Sequence, residues 1–571
     1  MMFREEHPNP QWERKAWRNL NGTWEFDFDF GRTARDKKLY EKNEKLGKTI
    51  VVPFCPESKL SGVEYVDFIP SVCYRKVITL SKEEVSQNVF LHFGAVDYKS
   101  YVYINGKLAG IHIGGYASFS FNVTEFLNEG ENIIFLIAED DPRTGEQVSG
   151  KQSRVYHSHD CDYTRTTGIW QTVWLEFVPS KYIKNCKYYT DIDNGILTIQ
   201  GETCGFGVVC AKAYYEGRSV GESSVKVLDN TFIMQIKLDE LHLWEIGNGR
   251  LYDLELNFED DYVKSYFGMR SVKINGMHIE INNKPVFLKT VLDQGFYPDG
   301  IYTAKTDEEL KRDIEISIAA GFNGARLHQK VFEKRFLYHC DKAGYIVWEE
   351  HANWWMDYKN PITVENFICE WIEILERDFN SPSIIGWCPI NETWEYKEIK
   401  GKHRIIETVY HVTKSYDKTR PCIAVSGNYH IKNMEIYDVH DYGATAEEFA
   451  RNYASVDEGT VIDGIRRQEG YVQPYKKGTP IFVSEYGGFR CVEENDNGWG
   501  YGEGIKTKED FVKTYDQFTS MLIDNPNIMG FCYTQLYDIE QETNGLYTYQ
   551  REPKYDMEKI REINLKEATV K

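Results

Sequence analysis

Residues 306–328, TDEELKRDIEISIAAGFNGARLH, decide how the second half of this chain reads. Thr306 with Glu309 three positions on is a capping box, which starts a helix by satisfying its orphan N–H groups. Leu310, Ile314 and Ile318 repeat at four-residue spacing on one face, and Gly321 supplies a C-terminal stop. NGARLH follows at once as a short apolar strand. A helix followed by a buried strand, repeated, makes a parallel sheet covered on both faces. From residue 276 the pattern yields eight strand candidates: PVFLKTVL, NGARLH, YIVWEEH, SIIGWCPI, PCIAVSGN, IYDVHDYG, PIFVSEY and IMGFCYTQ. Eight strand–helix units in roughly 295 residues are the size of a (β/α)8 TIM barrel, here predicted over 276–571.

Upstream the rhythm is different. TWEFDFDFG (23–31), VCYRKVITL (72–80), NVFLHFGAV (88–96), SYVYINGKLAG (100–110), NIIFLIAED (132–140) and QTVWLEFVP (171–179) are β-branched and aromatic runs with partial alternation. Asn105–Gly106 is a hairpin turn signal. The spacing predicts a β-sandwich of jelly-roll type over 1–179. A second strand-rich block over 180–275 has the size of an immunoglobulin-like β-sandwich.

Composition narrows the function. The formal net charge is −21, with 88 acidic against 67 basic residues. So negative a surface repels phosphate backbones and anionic lipid, which argues against nucleic-acid and membrane partners. The N-terminal MMFREEHPNPQWER has no apolar core of a signal peptide, and no apolar run is long enough to span a bilayer, so a cytoplasmic location is expected. Twelve cysteines occur singly, with no C-x-x-C pair, and read as buried free thiols.

Barrel enzymes hold their sites at the C-terminal ends of the strands. The residues falling there are Asp293, Arg326 with His328, Glu349, Glu350 and His351, Asn391 with Glu392, Ser426 with Asn428, His440 with Asp441 and Tyr442, Glu485, and Tyr533 with Gln535. Strands four and seven oppose each other across an eight-stranded mouth, so Glu392 and Glu485 are predicted to face one another. A carboxylate pair of that kind can cleave a glycosidic bond with retention, one carboxylate as nucleophile and the other as proton donor and acceptor. Arg326 and Tyr442 would keep Glu485 ionised, and Asn391 is placed to bind a sugar 2-hydroxyl.

Several stretches resemble glycoside hydrolase family 2, which includes β-galactosidases, β-glucuronidases and β-mannosidases. They are LNGTWEF, VPFCPESKLSG, TTGIWQTVWLE, YFGMRSVKI, GFNGARLH, RDFNSPSIIGWCPINE, PIFVSEYGG and GFCYTQLYDIEQETNGLYTYQREPK, in that order. The resemblance implies that Glu392 is the general acid/base and Glu485 the nucleophile. It also implies sugar contacts by Asn391, His328, Tyr442 and the strand-eight aromatic, here Tyr533, and by Asp162 reaching in from the sandwich. His351, Asn428 and His440 join the candidate sugar contacts as strand-end residues.

Some positions depart from the family pattern. His328 is followed by Gln329 and Lys330 where Tyr-Pro is usual, and Lys330 could meet an acidic group. The Asn-x-Lys that grips the carboxylate in β-glucuronidases falls near 542–544, where this chain has Glu542, Thr543 and Asn544, which argues against glucuronides. Trp354 and Met356 stand where large β-galactosidases hold magnesium, so no metal or other cofactor is expected. The resulting expectation is a retaining exo-β-glycosidase acting on a carbohydrate partner, with β-galactosides the first choice. A β-glucuronidase, galacturonidase, β-mannosidase or arabinosidase activity, and a non-catalytic carbohydrate-binding protein, stay open. So do a homo-oligomer, as in many relatives, and a lid role for 491–506.

Overall fold

The computed structural model describes residues 3–393, 402–427, 429–443, 445–454, 456, 475–492 and 498–569. At the N-terminus, a four-stranded antiparallel sheet faces a six-stranded one. The second joins Lys48–Val52, Gly22–Phe28, Ser71–Leu80, Gly130–Glu139, Lys99–Ile104 and Lys107–Ile113. Trp24, Phe26, Tyr74, Leu91, Phe93 and Leu136 fill the space between the sheets. Asn105 and Gly106 both take positive φ, 51° and 80°, as a tight hairpin turn requires. A three-stranded and a four-stranded sheet from 182–267 form the next sandwich around Leu197, Ile199, Leu254 and Val263.

The last part is the barrel. Its parallel sheet joins seven strands in the order four, three, two, one, eight, seven, six: Ile384–Cys388, Ile346–Glu350, Gly324–Leu327, Leu288–Asp293, Ile528–Thr534, Ile481–Gly487 and Tyr437–Asp441. The fifth position differs from the sequence expectation. PCIAVSGN forms no continuous strand among the described residues; it touches strand four through two parallel bridges, Trp387 with Cys422 and Asn391 with Ser426. Pro389 lies between those bridges and has no N–H to donate, which interrupts the ladder there. A small antiparallel sheet over 272–286 shares a core with Leu288, Trp348, Phe482 and Met529, and so closes the end of the barrel remote from the site.

The helix Asp307–Ala319 has the predicted cap, Thr306 Oγ1 accepting from Glu309 N at 3.3 Å. Its buried face is Leu310, Asp313, Ile314 and Ser317, while Ile318 is 38% exposed. Steps of four outrun the 3.6-residue turn, so the third apolar residue drifts off the face. All twelve cysteines are free thiols. No helix among the described residues is long and apolar enough to cross a membrane.

The sandwich and barrel are joined by bonds that reach toward the barrel mouth. Glu370 accepts from the Tyr116 and Ala117 amides at 2.6 and 3.2 Å. Thr303 donates to the Trp170 carbonyl at 2.5 Å, and Tyr163 donates to Glu542. This seam lets loops of the sandwich contribute to a barrel site.

Candidate active site

Arg326, on strand two and 1% exposed, is the hub of the barrel mouth. Its Nε donates to Glu350 Oε1 at 2.7 Å and its Nη2 to Asn391 Oδ1 at 2.9 Å. Its Nη1 donates to the Ser484 carbonyl at 2.5 Å and to Glu485 Oε1 at 3.1 Å. One planar guanidinium thus spans strands two, three, four and seven, which is possible because its donors are fixed in a fork. Burial opposes its charge, but Glu350 and Glu485 outweigh burial and hold its pKa well above the ordinary value.

Glu485 is 4% exposed. Its second oxygen accepts from Tyr442 Oη at 2.6 Å and lies 3.2 Å from His440 Nδ1. His440 Nδ1 is also 2.8 Å from Glu392 Oε1. Oxygens of Glu392 and Glu485 and the His440 nitrogen all lie within 4.8 Å of one another. Glu392 follows strand four, and its amide donates to Ser426 O at 2.9 Å. Its φ of 45° is unusual for a residue with a Cβ, and such strain is held only where the surroundings enforce it.

The protons on His440 follow from its partners. Ser484 Oγ donates to Asp438 Oδ2 at 3.0 Å, so Ser426 Oγ donates to Ser484 Oγ at 3.1 Å. The Ser426 oxygen therefore accepts from His440 Nε2 at 2.9 Å. With Nδ1 aimed at two carboxylates, both ring nitrogens carry protons and the ring is cationic. Burial pushes against that charge, but Glu485 and Glu392 prevail and raise the His440 pKa. A raised pKa contributes stability that is complete below the unfolded value of about 6.5 and is lost as pH rises through the folded value. Replacing His440 by Gln is therefore expected to cost about 1.5–3 kcal/mol at pH 6 and clearly less at pH 9, read from denaturant midpoints. An equal cost at both would contradict the cationic assignment.

Other predicted residues divide sharply. His328 joins the cluster, its Nδ1 3.0 Å from Glu350 Oε2. Burial, reinforced by Lys151, pushes its pKa well below normal. Asp162 accepts from Trp355 Nε1 at 3.2 Å at the sandwich–barrel seam. His351 is not brought to the mouth: it stacks on Phe367 with centroids 4.7 Å apart and on Trp371, and burial takes its pKa down to about 3. Tyr533 is likewise buried away from it, against Tyr515 of the helix Lys508–Asp524 and against Tyr486. Strand alternation explains both, since neighbouring residues point to opposite sides of the sheet and Glu350 and Thr534 take the inner side. Lys330 donates to the carbonyls of Gly295 and Tyr302 and is enclosed by aromatic rings, where burial brings its pKa down to about 7, so its nitrogen is used structurally. Asn428 lies outside the described residues.

The structure gives roles to residues that strand-end reasoning left without one. Glu350 braces Arg326 and His328, and period-two alternation along YIVWEEH separates it from Glu349 and His351. Tyr501 stacks on Tyr442 with centroids 3.8 Å apart, and Trp499 meets Tyr501 edge-on at 5.0 Å, so part of 491–506 does bring rings to the site. Trp354 donates to the Asn391 carbonyl at 3.2 Å. Trp354 and Trp499 come from loops, which carry no periodic signal, and Tyr501 opens the short strand Tyr501–Ile505.

Comparison with known proteins identifies the family and the fold. Residues 17–179 match the model for the sugar binding domain of glycosyl hydrolases family 2, and residues 272–566 match its TIM barrel domain. The chain belongs to glycoside hydrolase family 2. This family 2 chain is 25% identical over 370 residues to a β-galactosidase of Thermoanaerobacter pseudethanolicus, covering 61% of this chain and 47% of the relative. It is 22% identical over 593 residues to a β-glucuronidase of Streptococcus agalactiae, covering 94% of each. The chain spans about half the length of several other curated relatives it matches. Among solved structures, an uncultured Clostridium sp. β-glucuronidase superposes with a TM-score of 0.80 at 21% identity, covering 97% of this chain and 98% of that one.

Proposed function

We propose that this family 2 chain is a retaining exo-β-glycosidase that removes one terminal sugar through a covalent glycosyl-enzyme intermediate. The observation carrying this reading is the approach of the Glu392 and Glu485 oxygens to within 4.8 Å. Retention by double displacement uses carboxyl groups about 5–5.5 Å apart, whereas inversion needs about 6.5–9.5 Å to admit a water. Glu485, held by Arg326 and Tyr442, is the nucleophile. Glu392, less buried and beside the Trp354 loop, takes the Nδ1 proton of His440 and passes it to the leaving oxygen as the acid, and is the base that activates water in the second step. Asn391 spends its carbonyl oxygen on Arg326, leaving its amide N–H groups for the sugar 2-hydroxyl.

The same three atoms could approach a cation, but the His440 proton between the carboxylates already accounts for their spacing. The relatives' names carry two sugars, a galactose and a glucuronic acid, and both β-galactosides and β-uronides are therefore candidate substrates for this site. In the test, Glu392→Ala should lower turnover of a chromogenic glycoside by about 100- to 10,000-fold, and azide should restore it with a β-glycosyl azide as product. An α-glycosyl azide, or retention of near wild-type turnover without azide, would contradict the role given to Glu392.

A further inference from the structure

One turn of the sandwich, residues 149–154, is wedged into the barrel mouth. Ser149 N donates to Trp354 O at 3.2 Å, and Tyr163 N donates to Lys151 O at 2.7 Å. Gly150 has φ +54°, and a Cβ there would lie 2.4 Å from Gln329 O and 3.2 Å from Ala352. Only glycine lets the turn come this close to the ends of strands two and three. The turn delivers two cations onto consecutive indoles: Lys151 Nζ lies 3.8 Å from the centroid of Trp354, and the Arg154 guanidinium 5.0 Å from that of Trp355.

Neither cation has a hydrogen-bond or ion-pair partner in the protein among the described residues, although Lys151 is only 5% exposed and Arg154 Nε is buried without an acceptor. The nearby acids have their own donors. Asp162 takes the Trp355 N–H, and Glu542 takes the Tyr163 hydroxyl and the Asn544 amide at 2.9 Å. Burial works against the lysine charge, yet Cys161, Glu542, Asp162 and Glu485 together raise its pKa, so it stays an ammonium beside this pocket. In a chain with 88 acidic against 67 basic residues, carboxylates to pair them are abundant elsewhere. A buried cation without an anion is costly unless a ligand supplies one.

We propose that Lys151 and Arg154 are specificity-determining residues that bind an oxyanion on the terminal sugar, either the carboxylate of a uronic acid or a sulfate ester. This rests on the glycosidase reading and narrows it to acidic β-glycosides. The anion meets the sandwich wall, because Glu542 makes the wall after strand eight negative.

The experiment compares kcat/KM for 4-nitrophenyl β-D-galactoside, its 6-sulfate, β-D-glucuronide and β-D-galacturonide, with the wild type, Lys151→Met, Arg154→Met and Lys151→Arg. Methionine keeps the apolar stem on the indole and removes the charge. The wild type should favour at least one acidic glycoside over the galactoside. Each methionine variant should lower that acidic-to-neutral ratio by roughly 10- to 100-fold, and Lys151→Arg should keep most of it. A preference for uronides assigns the carboxylate, and one for the sulfated sugar assigns the ester. Wild-type preference for the plain galactoside, or methionine variants that leave the ratio unchanged, overturns the inference while the glycosidase reading stands. Absence of turnover on all four overturns both. Should Lys151→Met fail to fold, inhibition of the wild type by free D-glucuronate and D-galacturonate must be stronger than by D-galactose; equal inhibition also overturns it.

Discussion

Glu485→Gln is expected to lower kcat by at least about 10,000-fold while the protein stays folded. The amide has nearly the shape of the carboxylate: its oxygen can still accept from Arg326, and its NH2 can donate to the Tyr442 oxygen, whose proton then turns to Thr534 Oγ1. It cannot form a glycosyl ester, because its oxygen is a poor nucleophile and carries no charge. The strand-seven backbone is unaffected, since its anchor to Arg326 is the Ser484 carbonyl. Single-turnover kinetics with a chromogenic glycoside measure the loss. A variant keeping more than about a percent of wild-type turnover would remove Glu485 from the reaction.

Arg326→Met is expected to cost about 3–5 kcal/mol of barrel stability and most of the activity together. Glu350 is fully buried and its charge is offset by Arg326, with His328 as the other neighbour. Burial already raises the Glu350 pKa, with Arg326 the main opposing influence, so without the guanidinium the acid must protonate or remain an unpaired buried charge. The same change releases the Asn391 side chain and one side of Glu485, and displacement of reacting groups by about 1 Å costs about 100-fold in rate. Arg326→Lys should recover part of the stability and little of the rate, because an ammonium lacks the fork that reaches three strands. Urea unfolding followed by tryptophan fluorescence, beside kcat, tests both halves. Loss of rate with no loss of stability would contradict the bracing role.

Much of the fold was legible because its signals are periodic. The helix at 307–319 and the strands on either side of it carry complementary apolar spacings, and seven of eight predicted barrel strands take part in one parallel sheet. Strand five escaped because Pro389 on its neighbour breaks the ladder, a pairing effect invisible in PCIAVSGN itself. The Glu392–Glu485 pair was readable since each ends an apolar run, and barrel geometry alone brings strands four and seven together. His351 and Tyr533 were misplaced for a related reason: at a strand end one residue decides which side of the wall a side chain takes. Tyr501 opens a short strand of the excursion after strand seven, Trp355 sits on a loop and Lys151 arrives from the sandwich, so only the folded chain brings them to the mouth.

The central claim is that Glu485 and Glu392 act as a nucleophile and acid/base pair. It is tested most directly by trapping the enzyme with an activated 2-deoxy-2-fluoro-β-glycoside of the preferred sugar and mapping the label by peptide mass spectrometry. The account predicts one sugar per chain, on Glu485, within the peptide containing PIFVSEYGG. A label on Glu392, or stoichiometric turnover with no covalent sugar and release of the α-anomer first, would contradict it.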